Sequence, residues 1–352
     1  MERSTFELLL DRMERPVFCV RDGVISHANQ PATKYGIYPG TDIRTLLDLH
    51  LPEYEAYRGG ELCLTVRIAG IPCQASVQRT PEGDLFFLDQ NDDTAAQALA
   101  LSAQHLRGPL QTVLTAAELL SDPAAPKDTP QHLTKGLYQL QRIVSNMSDT
   151  ARYQAVTDSA LETVDLVPFF SEIMEKAAHL ASVAGFRLEY QTNVTSAIGL
   201  AHREMLERAI YNLLANAMKY ADPESTLEAK LTGGDSSLCF TLQDPGSAVP
   251  PAETGNLFAR YLRQPGIEDG RNGIGLGLAL VRSAAACHGG TVLMEKLPQG
   301  GTRICMTIAL RQSETALLRG PVQLPSLDYS GGHDHALLEF ADILPPSAFK
   351  DI

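Results

Sequence analysis

The chain has 352 residues, 44% of them hydrophobic and 20% charged, an ordinary globular composition with ample core and room for two or three domains. Its formal net charge of −13 argues against sequence-independent binding to nucleic acid, which relies on a basic surface. The longest nearly uninterrupted apolar run, Ile274 to Val281, falls far short of the roughly 20 residues of a membrane span.

The N-terminus has no basic stretch leading into an apolar core, so no signal peptide is evident and a soluble, cytoplasmic protein is expected. Six scattered cysteines lack any C-x-x-C pair and read as free, mostly buried thiols in a reducing compartment rather than a zinc site.

Residues 1–92 read as a small α/β module. A helix over Phe6 to Met13 precedes Pro16-Val-Phe-Cys-Val20, and Asp22-Gly23 then turns into Val24-Ile25, a hairpin signal. Leu62, Leu64, Val66 and Ile68 alternate at strand period, and a second hairpin from Gln74 to Leu88 turns at Glu82-Gly83. Residues 93–160 change to helical period. Thr94 to Leu120 carries an apolar stripe through Leu106, Leu110, Val113 and Ala117, and the proline-rich stretch after Ser121 stops it. A second helix repeats Leu133, Leu137, Leu140, Val144 and Met147. One seam per helix predicts an antiparallel hairpin that dimerises through residues 93–156 into a four-helix bundle; a hairpin packed on a neighbouring domain is the alternative.

Residues 161–311 alternate helices and strands, and 312–352 read as an extended tail with apolar docking pieces, notably Leu337 to Leu344. Three segments in the third unit describe one pocket. In Asn212-Leu-Leu-Ala-Asn216-Ala-Met-Lys219-Tyr220 the two amides are four apart and share a helix face, where carbonyl oxygens suit a hard cation such as Mg²⁺. Lys219 follows one turn on, within reach of a phosphate. Asp244-Pro-Gly246 ends a strand, and its carboxylate can accept from an adenine amino group. Gly273-Ile-Gly275-Leu-Gly277 opens a helix, exposing backbone N–H groups to an anion at the positive end of the dipole. No strand leads directly into these glycines, so a dinucleotide fold is excluded. Between the boxes, Gly246 to Asn272 reads as a lid.

In this order the segments resemble the ATP-binding domain of sensor histidine kinases, the Bergerat α/β sandwich shared with gyrase-type and heat-shock chaperone ATPases. The resemblance implies ATP and Mg²⁺ as cofactors, with Asn212 and Asn216 flanking the metal and Asn216 its ligand. Lys219 and Arg263 would meet the phosphates, Tyr220 would lie near the nucleotide, Asp244 would bind adenine with Gly246 letting the ring approach, and Gly273, Gly275 and Gly277 would hinge the lid. One departure is Ala248, where the family usually has a second glycine.

The helical pair resembles the phosphoacceptor domain of the same family, whose first helix carries a motif close to H-E-L-R-T-P-L. Here the residues are Gln104-His105-Leu106-Arg107-Gly108-Pro109-Leu110. Gln104 occupies the acceptor position, His105 the position of the acidic base, and Gly108 that of a water-positioning Thr or Asn. A one-residue shift moves a helical side chain by roughly 100° and 1.5 Å, which breaks the in-line geometry of phosphoryl transfer unless the helix shifts register near Pro109; His105 reads either as a displaced acceptor or as a solvent-facing residue without a catalytic role.

The N-terminal module, through Pro16-Val-Phe-Cys-Val20, Asp22-Gly23, Ile25, Asn29 and Ala32, resembles a PAS sensor domain. The implied function is a cytosolic two-component sensor kinase that passes phosphate from ATP to a response regulator. The alternatives are an ATP-binding pseudokinase that regulates a partner without histidine phosphorylation, and an ATPase-like or serine-kinase regulator.

Overall fold

In the computed structural model, the described residues are 5–47, 50–89, 94–120, 122, 124–152, 161–222, 224–234, 236–245, 277–298, 300–311 and 334–349. The N-terminal module runs α1 (Thr5–Asp11), β1 (Val17–Arg21), β2 (Val24–Ala28), α2 (Gln30–Lys34), α3 (Arg44–Leu47), α4 (Leu51–Ala56), β3 (Glu61–Ile68), β4 (Ile71–Thr80) and β5 (Gly83–Leu88). Both predicted hairpins are present, the second turning at Pro81-Glu82 rather than Glu82-Gly83, since Gly83 already pairs with Thr80. Asp22 and Gly23 both take positive φ, as a two-residue turn between right-twisted strands requires. Sequence periodicity misses α2, α3 and α4, because four to six residues are too few to display a 3.6-residue repeat. Buried Asn29 fixes the module's entrance: its Oδ1 accepts from the N–H groups of Val17 and Ala32, and its amide donates to the carbonyls of Leu10, Met13 and Arg15.

The helical hairpin comprises α5 (Thr94–Leu119) and α6 (Thr129–Arg152), which pack on each other. Close approach is set by Gly136 of α6, where a Cβ would lie 2.8 Å from Val113 of α5. Pro109 lies within α5 and the helix continues through it. Part of the predicted stripe faces outward: Leu110, Leu137 and Val144 are 40–56% exposed in the single chain, as is the neighbouring Leu114.

The third unit follows as β6 (Glu162–Asp165), α7 (Leu166–Val183), β7 (Arg187–Thr192), β8 (Ile198–Ala201), α8 (Arg203–Tyr220), β9 (Thr226–Gly233), β10 (Ser237–Asp244), α9 (Gly277–Cys287), β11 (Val292–Lys296) and β12 (Thr302–Ala309). Short β6 and β8 pair with each other as a separate two-stranded sheet. One face of the β9–β12 layer, with Leu227, Phe240, Met306 and Ile308, packs against α7, α8 and α9. The alternation that buries Ile304 and Met306 turns Cys305 to the other face. Cys239 in β10 is half-buried for the same reason, Cys73 and Cys287 are half-buried as well, and among the six only Cys19 and Cys63 are the buried thiols expected.

The sheet runs on where the sequence suggests separate modules. Its ten strands have the order β2-β1-β5-β4-β3-β11-β12-β10-β9-β7, antiparallel throughout except for the β7–β9 pair. The joint is β3 against β11, with Cys63 opposite Val292 and Leu62 opposite Leu293. Beyond β12, the tail is helical at α10 (His335–Glu339), continues to a 3₁₀ turn at Pro346–Ala348, and packs on α6, α7 and α8. No helix among the described residues is long and apolar enough to cross a membrane.

Candidate nucleotide site

Helix α8 is the backbone of the site. His202 caps its N-terminus, its Nδ1 accepting from the Met205 N–H. The His202 N–H in turn donates to His288 Nε2 at 2.9 Å, just beyond α9, while His288 Nδ1 donates to the Ala284 carbonyl at 2.6 Å. These two bonds require neutral imidazole, and burial pulls the His288 pKa down to about 4. The start of α8 is thereby tied to the end of α9.

Around α8, Met205, Leu206, Ala209, Ile210, Leu213 and Leu214 fill the core. Arg208, Asn212, Asn216 and Lys219, spaced four, four and three apart, line one other face. Asn212 is almost wholly buried, and its amide nitrogen donates to the Arg208 carbonyl at 2.9 Å and to Glu339 Oε2 at 3.2 Å. With the nitrogen fixed, Oδ1 is oriented the other way, and it is buried without a hydrogen-bond partner among the described residues.

Gly277, the first residue of α9, faces that oxygen. A Cβ there would stand 2.7 Å from Asn212 Oδ1 and 3.7 Å from Asn216 Nδ2. Only glycine lets α9 start against the amide pair. An orphaned buried carbonyl oxygen, a second amide on the same face and a residue without a side chain opposite both fit a hard, oxygen-preferring cation.

Lys219 lies at the other end of the polar face, its side chain 9% exposed and its Nζ 3.7 Å from Asp342 Oδ2. Burial pulls its ammonium down to about 8 despite the opposing pull of Asp342. Tyr220 is about half exposed. Asp244 is buried at the end of β10, opposite Thr302 of β12, on the strand against which α8 packs. The structure thus brings Asn212, Asn216 and Gly277 together, puts Lys219 on their face, and sets Asp244 on the strand beneath. Gly246, Arg263, Gly273 and Gly275 lie outside the described residues, as does the expected lid. Gln104 and His105 fall within α5, and their side chains are likewise outside the described set.

Four participating residues escape the sequence reading: Arg142, Arg208, Glu339 and Asp342. Arg208 Nε donates to Glu339 Oε1 at 2.9 Å, and Arg142 Nε to Oε2 at 3.1 Å. Arg142 Nη1 also donates to Asp342 Oδ2 at 2.5 Å, and Gln139 donates to its Oδ1 at 3.3 Å. Burial pushes the Asp342 carboxyl up, but Arg142 and then Lys219 outweigh it and hold the group below the usual carboxylate range. A usable signal existed for Arg208, one helical turn before Asn212 on the same face.

The family described as histidine kinase-, DNA gyrase B- and HSP90-like ATPase matches residues 201–312. The chain is 26% identical over 215 residues to the sensor histidine kinase MtrB of Mycolicibacterium paratuberculosis, covering 59% of this chain and 38% of that one. It is 26% identical over 225 residues to the sensor protein KdpD of Escherichia coli K12, covering 61% and 24%. It therefore spans less than two fifths of the length of either relative. Among solved structures, the histidine kinase ThkA in complex with response regulator protein TrrA aligns with 86% of this chain and 97% of its own, at 12% identity and a TM-score of 0.46. Residues 201–312 thus carry a histidine kinase-, DNA gyrase B- and HSP90-like ATPase domain, and the chain is similar to sensor histidine kinases over 215 residues.

Proposed function

We propose that the chain binds Mg-ATP and acts in the cytoplasm as a two-component sensor kinase, passing a phosphoryl group through His105 to the receiver domain of a response regulator. The observation that carries the nucleotide part is Asn212: a buried amide, its nitrogen tethered, its oxygen facing Gly277 and without a partner among the described residues. In this reading Asn216 and Asn212 hold Mg²⁺, Lys219 and Arg263 neutralise the phosphates, and Asp244 selects adenine. Gly246, Gly273, Gly275 and Gly277 let the backbone close over the nucleotide. Bound Mg-ATP supplies the transferable phosphoryl group. The chain's own contribution is positioning and charge neutralisation in a site with little water, which is most of what phosphoryl transfer asks of a protein.

Dimerisation through residues 93–156 is supported by the exposed apolar side chains of α5 and α6, which a second copy would cover. The N-terminal module, a five-stranded antiparallel sheet with short helices, serves as the PAS-like sensor. A second reading, an ATP-binding pseudokinase that governs a partner by conformation alone, is favoured by Gln104 in the place of the expected acceptor.

Incubation with γ-³²P-ATP and Mg²⁺ separates the two. Acid-labile label that disappears in both His105→Ala and Asn216→Ala establishes the kinase. Nucleotide binding that Asn216→Ala weakens, without label, establishes the pseudokinase. Absence of nucleotide binding to the wild type would discard both.

A further inference from the structure

The tail segment 334–349 lies over the polar face of α8, and two of its three carboxylates, Glu339 and Asp342, engage Asn212 and Lys219, side chains that the reading above gives to Mg-ATP. Glu339, wholly buried, takes Arg208, Arg142 and the amide of Asn212. Asp342 takes Arg142, Lys219 and Gln139. Lys135 of α6 adds a fourth basic group, donating to the Leu344 carbonyl at 2.7 Å. Three basic side chains from α6 and α8 therefore converge on two tail carboxylates, and a fourth holds the segment's backbone. Apolar anchors hold the segment on both helices: Phe340 meets the ring of Tyr211 edge-on at 5.5 Å, and Phe349 lies 5.3 Å from Tyr138 of α6.

Resting on the ATP-binding reading above, we propose that segment 334–349 is an internal cap in which Glu339 and Asp342 stand in for the phosphates of ATP. Nucleotide binding and tail docking then exclude each other. Lys219 has one ammonium, almost buried and already turned to Asp342. To meet a phosphate it must release that carboxylate or hold two anions side by side. Anions crowded in a poorly solvated site repel strongly, and the carboxylates are the partners that can leave, because they ride on a short segment whereas Lys219 is fixed within α8. Mg-ATP therefore displaces the tail. With the tail goes one of the links between α6 and the ATPase core, leaving the direct packing of α6 on α9 and the Arg208–Asn146 bond, so nucleotide occupancy is passed to the helical hairpin.

The experiment uses the full chain and a fluorescent ATP analogue with Mg²⁺, titrated into wild type, the Glu339→Gln/Asp342→Asn double variant, and Asn216→Ala. Neutralising the tail carboxylates is expected to tighten nucleotide binding by about tenfold, since the binding-competent fraction is no longer held down by docking. Far-UV circular dichroism checks that the double variant is folded. Hydrogen exchange on the wild type gives a readout independent of any substitution: amides of Ala336 to Phe349 should lose protection when a non-hydrolysable Mg-ATP analogue is added.

Equal or weaker affinity in a folded double variant, or tail protection that holds or rises with nucleotide, overturns the cap. Binding that is lost in Asn216→Ala yet indifferent to the tail leaves the ATP site standing and removes the cap alone. Failure of every form of the chain to bind nucleotide removes both.

Discussion

Two segments far apart in sequence grip the same ATPase core by different physical means. On one side the N-terminal module joins by backbone, β3 extending the sheet at β11. Arg282 of α9 supports the joint, paired with Asp89 and donating to Gln74. On the other side the tail joins by buried charge, Glu339 and Asp342 among Arg142, Arg208 and Lys219. A strand joint is indifferent to most side chains and has no competitor among small anions. A charge clasp has one in any anion that can reach the same cations. The first suits a permanent connection and the second a reversible one.

The clasp should show the largest effect when one partner is cut out. Arg208→Met leaves Glu339 buried beside the pocket with part of its compensation gone, which for a buried ion pair costs about 3–5 kcal/mol. Urea denaturation should register that loss. A change below about 1 kcal/mol would mean that the carboxylate finds water, and that the clasp is far looser than its contacts imply.

The core between the two grips has a pH limit of its own. His288 is protonated in the unfolded chain at about 6.5, whereas burial in the fold delays protonation to about 4. Its stabilising contribution is thus complete above pH 6.5 and is lost as the pH falls towards 4, at most about 3 kcal/mol in all. The wild type should lose melting temperature across that window, and His288→Gln should flatten the slope. A wild-type profile already level from pH 6.5 to 4.5 would contradict the tie between α8 and α9.

The strand joint should be most sensitive at Gly60, just before β3. Its φ is +90°, and a Cβ would come 2.1 Å from the carbonyl oxygen of Met294 in β11. Gly60→Ala forces both a left-handed alanine and a backbone clash, with a cost of about 1–3 kcal/mol. Amides of Val292 to Met294 should then exchange faster while those of β9 and β10 stay protected. Uniform loosening of all these strands would show instead that the joint and the core fold as one unit.

The difference between the two grips also explains what the sequence made legible. Asn212, Asn216 and Gly277 could be read as one site because helix period and a glycine before a helix are local signals. The apolar piece Leu337 to Leu344 could be read as a docking segment for the same reason, and Ala336, Leu338, Phe340, Ala341 and Leu344 are indeed buried. Its acids could not be read, because their partners stand at 131 positions for Arg208–Glu339 and 197 for Arg142–Glu339 along the chain. The β3–β11 joint was more hidden still. Strand edges pair through backbone groups common to every residue, so no side chain marks which edges will meet. Cys305 was misjudged for a related reason: its apolar neighbours point one way along the strand and it points the other.

The smallest effect should come from the tail's surface contact, and it tests which interactions hold the cap. Lys176 of α7 pairs with Asp334 at 2.9 Å, but the two side chains are 46% and 35% exposed. Solvent-screened pairs of this kind are worth about 0.2–1 kcal/mol, less at high salt. Asp334 also caps α10, its Oδ1 accepting from the Ala336 and Leu337 N–H groups, so Lys176→Ala is the cleaner cut: it removes the pair and leaves the cap in place. Tail amide protection in Lys176→Ala should match the wild type to within about twofold, an energy well under 1 kcal/mol, and the small difference should vanish in 0.5 M salt. A large loss of protection would move the seat of the clasp from the buried carboxylates to its exposed end. The tail would then respond to ionic strength rather than to an anion in the pocket.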